Sequence, residues 1–437
     1  MPVRRSIQRH YDAVLEAGAR FFAARAQELA TACWGMAQRF HRGGTLVIYA
    51  RPGATFSDAQ HNAVEFIHPV LVGKRALPAL SVRDPAQLDL LAGPDDIRMG
   101  ITGHDLAELP RGLQVAFGDR GGCDAEHAFA VGAGDPLVTQ EVQETAYHEL
   151  WELVHVFFEH EGLLQSQDCT EEVCLTCGDV ALPAAVVRVE GTQGWVRTAR
   201  GEEECDLSLV QPASPGELVL VHGKVALEKV KPIDQFSQEF YPFLTNERMD
   251  VPEVLADVAR SVEMKWAEVA SLRQATDLVA VERALEALLR QVRAGGRVLA
   301  FGNGGSATDS ADLASDLQAI GVPALDLAGE PAVITAVGND ISFDEVFARQ
   351  VIALGRPGDV AIGISTSGRS RNATRAFEQA KRQGLLTIGL VGYGGGGWKD
   401  AEQVDHLLVV DSTYIPRIQE AQATIYHALV RGLEEAG

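Results

Sequence analysis

No apolar run in this chain approaches the ~18 residues that a membrane-spanning helix needs, so a helical span is excluded. Cations are in short supply. Across 437 residues, 38 Lys and Arg face 60 Asp and Glu, a formal net charge of −22. A surface that acidic repels phosphate backbones, which argues against nucleic acid as a partner. Cysteine is also scarce, with six in the chain. That is too few for a disulfide scaffold and suits a reducing cytoplasm, where any thiol role must be argued locally. The opening MPVRRSIQRHYDA is basic but has no apolar core behind it, so no secretory signal is expected. No low-complexity linker interrupts the chain, and its parts are expected to pack on one another. What is present is ordinary globular composition, 46% hydrophobic and 22% charged, at a length that suggests two or three domains.

The chain repeats itself. RFHRGGTLVIYA (39–50) and QVRAGGRVLAFG (291–302) both read as a helix end, a Gly-Gly break and a short buried strand. Each is followed by a small-residue turn and a helix, RPGATFSDAQHNAVEF in the first copy and NGGSATDSADLASDL in the second. Further on, TQEVQETAYHELWE (139–152) lies over IQEAQATIYHALVR (418–431), with Gln, Glu, Gln, Tyr and His at the same offsets. The chain therefore reads as two homologous α/β domains. The first copy is shorter and has lost either one strand–helix unit or the length of several loops.

Between the copies the texture changes. ALPAAVVRVEG, GWVRTARG and CDLSLVQPASPGELVLVHGKVAL are short β-branched runs split by Gly and Pro, the spacing of a small all-β barrel or sandwich. Trp195 and the Val/Leu run read as its core. VPEVLADVARSVEMKWAEV then returns to helical spacing after an early Pro. The expected domains are 1–166, 168–232 and 233–437.

In the second copy, Gly302, Gly304 and Gly305 permit a tight turn, and Ser306 falls at a helix start, where free N–H groups attract an anion. A second strand, VAIGI, delivers Ser365, Thr366, Ser367 and Ser370 onto a similar turn. One such turn reads as simple helix capping. Two in one domain, each after an apolar strand, point to a phosphate grip.

GNGGSxxD with VGND (Val337–Asp340), ISTSGxS (Ile364–Ser370) and RIQE (Arg417–Glu420) resembles the sugar isomerase (SIS) fold, and more narrowly the phosphoheptose isomerases, which interconvert sedoheptulose 7-phosphate and a heptose 7-phosphate. The resemblance covers about residues 250–437. It implies two flavodoxin-like parallel-sheet domains, a homo-oligomer and a phosphosugar held between subunits. It implies Asn303, Ser306, Asp340, Ser365, Thr366, Ser367, Ser370 and Gln419 as ligand contacts. The family carries a His and a Glu four apart on the helix after the Gly loop. This copy has Asp312 and Asp316 there, with His427 at the distal catalytic position, so Asp316 and His427 form a weaker catalytic set.

The first copy shows the reverse. Its loops have become RPGAT and MGITGHDL (99–106), and a phosphate cradle looks lost. Yet His61 and Glu65 stand at i, i+4 on one helical face, at the family's His and Glu positions. Gln140 and His148 match its distal Gln and His. His61, Glu65, Gln140 and His148 suit zinc, or an acid/base pair in which Glu65 and His148 do the chemistry. A composite site follows as the expectation, with chemistry from one copy and phosphate grip from the other.

The central segment resembles the HypC/HupF chaperones of [NiFe]-hydrogenase maturation. Cys174-Leu175 with Leu182-Pro183, then Gly216–His222, carry the likeness. It implies an iron held by Cys174 and His222, and docking to hydrogenase maturation proteins or to the hydrogenase large subunit. A structural zinc on Cys169, Cys174, Cys177 and Cys205 is the other reading. The whole reads as a hydrogenase-maturation-associated fusion with phosphosugar isomerase activity, or as a non-catalytic phosphosugar-sensing scaffold.

Overall fold

The computed structural model describes residues 2–69, 74–159, 163–164, 182–198, 201–222, 224–230 and 250–437. It opens with a 40-residue helix, α1 (Pro2–His41). Alternating elements follow: β1 (Leu46–Ala50), α2 (Ala54–Ile67), β2 (Ala79–Val82), α3 (Pro85–Leu91), β3 (Ile97–Ile101), β4 (Val115–Gly118), β5 (His127–Ala130) and α4 (Pro136–Glu159). The strands form one parallel sheet in the order β2-β1-β3-β4-β5. β1 and β4 are buried at every position, as strands covered on both faces must be.

After the middle segment come α5 (Val251–Ala275), α6 (Leu278–Arg293), β11 (Val298–Phe301), α7 (Gly305–Ala319), β12 (Ala324–Asp326), α8 (Pro331–Asp340), α9 (Val346–Leu354), β13 (Val360–Ser365), α10 (Arg371–Arg382), β14 (Leu386–Val391), β15 (His406–Val409) and α11 (Ile415–Ala436). Their sheet, β12-β11-β13-β14-β15, is again wholly parallel and in the same order. Both halves are thus flavodoxin-like, and the short first copy has kept all five strands. What it has shed is helix: α8 and α9 join β12 to β13, where the first copy has the seven-residue α3.

The two cores are interleaved in the chain. Val254, Val258, Val262, Trp266 and Val269 of α5 pack into the first unit's core, while Ile7 and Tyr11 of α1 pack into the second. Trp266 stacks on Phe22 at 5.1 Å, and a Cβ on Gly18 would lie 2.0 Å from its ring, so Gly18 is the notch that lets the helices meet. Residues 251–275 follow the barrel in sequence but are covered by the amino-terminal unit.

β6 (Leu182–Glu190), β7 (Gln193–Thr198), β8 (Gly201–Asp206), β9 (Leu218–His222) and β10 (Val225–Val230) close into a barrel in the order β10-β8-β7-β6-β9. Its core holds Ala184, Val186, Val196, Cys205, Leu207, Val219 and Val221. Trp195 is not part of it. Strand alternation turns Gly194, Val196 and Thr198 inward, and Trp195 lies half-buried under the Arg188 guanidinium, 3.5 Å from its ring centre.

Candidate active site

Four helices meet between the two sheets. α2 and α7 follow the first strand of each unit, and α4 and α11 carry the long sequence repeat. Their shared faces are polar and buried.

His61 on α2 and His148 on α4 face each other, Nε2 to Nε2, at 3.3 Å. Glu65 Oε1 lies 3.7 Å from the same His61 nitrogen, and Gln419 Nε2 on α11 lies 3.1 Å from it. His61, Glu65 and His148 are each at most 2% exposed. The other face of each ring is held by the second unit. His148 Nδ1 lies 2.9 Å from Glu420 Oε1, and His61 Nδ1 lies 3.4 Å from Asp309 Oδ1. Carboxylates at both Nδ1 atoms keep the protons there and leave two Nε2 lone pairs opposed. Lone pairs at that distance repel unless a proton or cation stands between them. Gln419 Oε1 has no partner, and half a turn of its amide brings that oxygen to His61. Two imidazoles, a carboxylate and an amide oxygen are donors that fit zinc. The amide beside His61 comes from Gln419 of the second unit. Gln140, its repeat counterpart, is buried and lies by Asp58 instead.

Burial, with Glu152 and Asp309 against it and His148 in its favour, pushes the Glu65 carboxyl up to about 7. Burial would also raise Glu420, but Arg417 and His148 hold it down at about 2.

The second unit's loops reach this point. In the sheet order the crevice lies between β11 and β13, the switch point where open α/β sheets bind ligands. The loop after β11 enters α7 through Gly304 at φ 57°, with no side chain capping the helix. Ser306 and Ser365 are buried beside it. Asn303 and Asn372 exchange amide hydrogen bonds of 2.9 and 2.8 Å, tying the β11 loop to the start of α10. Ser365 Oγ accepts from Gly368 N–H at 3.0 Å, Ser367 Oγ accepts from Arg369 N–H at 3.3 Å, and Thr366 O accepts from Gly392 N–H at 2.8 Å. Ser370 sits at the head of α10 without capping it. Asp340 ends α8 on the surface, where Asn339 Nδ2 donates to it at 2.8 Å.

A Cβ on Gly305 would fall 2.1 Å from Gln419 Nε2 and 2.9 Å from His61 Nε2. The loop, the amide and the imidazole therefore converge from both halves. Gly305→Ala should displace Gln419 and His61 together. Any turnover carried by this cluster should drop roughly 10²-fold, the cost of a misplaced reacting group, with circular dichroism unchanged. Wild-type kinetics in that variant would refute the placement.

A counterpart cluster lies across the pseudo-twofold. His427 Nε2 is 3.3 Å from both Asp312 Oδ2 and Asp316 Oδ2, and its Nδ1 is 3.0 Å from Glu141 Oε1, which His10 Nε2 also meets at 2.6 Å. Burial and Asp312 push the Asp316 carboxyl up to about 6. Burial opposes charge on His427, but Asp312, Asp316 and Glu141 raise its pKa well above the ordinary value. The loops of the first unit leave a cavity of about 230 Å³ lined by Arg51, Thr55, Thr102 and His104, with Arg51 paired to Glu108 at 2.9 Å. Its hydroxyls are few, as the sequence indicated.

A phosphoheptose isomerase from Crocosphaera subtropica is 44% identical over 161 residues, 36% of this chain and 81% of that protein. One from Rhodospirillum rubrum is 42% identical over 163 residues, 36% and 86%. The chain belongs to the phosphoheptose isomerase family. The SIS domain model matches residues 265–392, and the HupF/HypC family model matches residues 180–235. Over 98% of its length the chain shares its fold with 95% of the C-terminal domain of glucosamine-fructose-6-phosphate aminotransferase from Francisella tularensis, at TM-score 0.53 and 8% identity. A phosphoheptose isomerase domain is therefore combined here with a HupF/HypC barrel and a second flavodoxin-like unit.

Cys174 lies outside the described residues, as does the side chain of His222, whose backbone ends β9. Cys169 and Cys177 also lie outside them. Cys205 is a buried barrel thiol whose pKa burial pushes up to about 11. Sequence reasoning gave no role to Asp309, Arg417 and Glu420, which stood inside the quoted motifs, nor to Glu141 and His10. Glu141 and Glu420 were visible as a repeated pair, and nothing in the repeat marks His10.

Proposed function

We propose that the chain is an aldose–ketose isomerase of phosphosugars, with sedoheptulose 7-phosphate as substrate. The observation that carries this is the meeting of His61, Glu65 and His148 from one unit with Gly305 and Gln419 from the other. The phosphate is held by Ser306 and by the Ser365–Ser370 loop, whose hydroxyls and N–H groups head α7 and α10. Asn303 orders that grip through Asn372. The sugar carbonyl end then lies toward Glu65 and His148.

Glu65 takes the proton from the carbon beside the carbonyl and returns it to the neighbouring carbon, through an enediolate. Its Oε1 faces the imidazoles, whereas Oε2 has no partner and is available for the carbon acid. His148 serves the oxygen from Nε2, its Nδ1 proton pinned by Glu420. Gln419 and His61 orient hydroxyls. Where His61 and His148 instead hold zinc through Nε2, together with Glu65 and Gln419, the ion would polarise the substrate oxygens in place of the His148 acid–base role.

Turnover of sedoheptulose 7-phosphate by the purified chain tests the reading. Ser365→Ala should raise KM roughly tenfold by loss of phosphate contacts, with kcat little changed. No turnover in the wild type would defeat it.

The barrel favours an added role as a HupF/HypC module that brings the chain to hydrogenase maturation proteins, in the cytoplasm. Among the described residues no helix is long and apolar enough to cross a membrane. Native purification with iron analysis and infrared spectroscopy tests this. Bands of iron-bound CO or cyanide that vanish in Cys174→Ala support it, and their absence from the wild type removes it.

A further inference from the structure

We infer that the cavity at the loop end of the first sheet is an effector site for a small hydroxy carboxylate, and that α2 carries its occupancy to His61 and Glu65. Binding there does not depend on the isomerase reading.

The cavity opens where β1 and β3 part. β1 lies between β2 and β3, so the loops after β1 and β3 leave the sheet on either side of the first unit's own switch point. At about 230 Å³ the space is smaller than the roughly 300–1,000 Å³ of most small-molecule sites, which limits an occupant to a few carbons. Its wall is set in advance. Thr102 N–H donates to Phe117 O at 2.9 Å, Asp119 N–H donates to His104 O at 2.6 Å, and Gln143 Nε2 donates to Thr102 O at 2.9 Å.

The donors suit an anion. α2 starts at the cavity through Gly53 at φ 127°, and no side chain caps its first N–H groups. Thr102 is 8% exposed, and its Oγ1 accepts from His104 N–H at 3.2 Å. Among the described residues its own proton meets no acceptor, so a buried hydroxyl is left to donate into the cavity. The Arg51 guanidinium stands at the mouth, paired with Glu108 at 2.9 Å, with the two side chains 59% and 39% exposed. A pair that open is weak, and an anion that the helix head also attracts can take the place of Glu108.

Donor number separates the two units. The second unit's loops carry five hydroxyls, on Ser306, Ser365, Thr366, Ser367 and Ser370, enough to surround a phosphate. Here there are Thr55, Thr102 and one guanidinium. The parallel N–H groups of that fork match the two oxygens of a carboxylate. Glu108, once displaced, stays at the rim as an acceptor for a ligand hydroxyl. The link to the chemistry is α2 itself. Its head lies in the cavity, His61 stands about two turns along it and Glu65 about three. An anion that anchors the uncapped end therefore shifts His61 against Gln419 and Asp309 of the second unit.

The test uses the full-length chain, with glycolate, lactate, glycerate and gluconate as probes and inorganic phosphate as the contrast. By ligand-observed NMR at least one hydroxy acid should bind. Arg51→Met should weaken that binding about 10–100-fold, the usual effect of a hydrogen bond to a charged group. Glu108→Gln should strengthen it, because the competing carboxylate is gone. Both residues are exposed, so both variants should fold, as circular dichroism checks. With histidine labelled by ¹⁵N, the resonance missing from His61→Gln should move when the hydroxy acid is added to the wild type and stay in place in Arg51→Met. The inference is overturned if no hydroxy acid binds, if binding survives Arg51→Met, or if phosphate is the ligand that depends on Arg51. Binding that leaves the His61 resonance unmoved overturns the effector role.

Discussion

Glu65→Gln should remove about 10²–10⁴-fold of isomerase turnover while leaving phosphosugar binding nearly intact. The amide keeps the shape and the volume of the carboxylate but cannot take a proton from carbon. Its site is dry, since Glu65 is 1% exposed, so water is poorly placed to substitute as base. The loops proposed to grip the phosphate lie on the other unit and are untouched. The pH profile provides a second readout. Burial places the Glu65 carboxyl at about 7, so the base is half-ionised there. Activity of the metal-free enzyme should rise with pH through about 7, because only the ionised form accepts the proton. A bound divalent ion favours the carboxylate and should move that limb to lower pH. In Glu65→Gln the limb should vanish. A variant that keeps both its rate and its limb would show that another group is the base.

Much of this was legible in the residues. Two Gly-Gly breaks before buried strands, and the paired QExQ…YH segments, pointed to two α/β units, and hydroxyl-rich turns after strands pointed to the loops proposed as an anion grip. His61 and Glu65 at i, i+4 marked a pair that the fold brings to His148. Periodicity could not show which amide completes the set. Gln140 and Gln419 are equivalent in the repeat, and only the packing of α2 on α7 and of α4 on α11 puts Gln419 beside His61. The interleaving of the cores was also hidden. α5 has a helical pattern that says it must bury a face but not against which unit, and Gly18, which admits Trp266, is one glycine among 43. Trp195 shows the limit of composition. A tryptophan in a β-rich run reads as core, but strand parity turned it outward under Arg188.

Arg417→Met should cost about 3–5 kcal/mol of stability, the usual penalty for stranding buried charges. Arg417 is 1% exposed in α11 and stands at the seam of the two units. It reaches Glu149 at 2.7 Å and Glu152 at 3.8 Å on α4, and it bonds Glu420 one turn along its own helix. Lys265 of α5 bonds Glu152, and Arg273 and His148 remain near Glu420, but Glu149 would lose its close cation. Methionine has about the right volume and leaves no large cavity, which makes the loss electrostatic. The sign with pH separates it from a packing defect. Burial already holds the Glu149 carboxyl well above the usual carboxylate range beside Arg417, and loss of the guanidinium raises both it and Glu420. A folded-state pKa above the unfolded one means a penalty that is full at neutral pH and shrinks as pH falls toward 4.5. Denaturant unfolding at pH 7.5 and pH 5 should therefore show the deficit narrowing with acid, where a cavity would cost the same at both. Glu420 also holds His148 Nδ1, so the variant should lose turnover even at temperatures where it stays folded. Unchanged kinetics in folded Arg417→Met would mean that His148 does not depend on the buried network for its orientation.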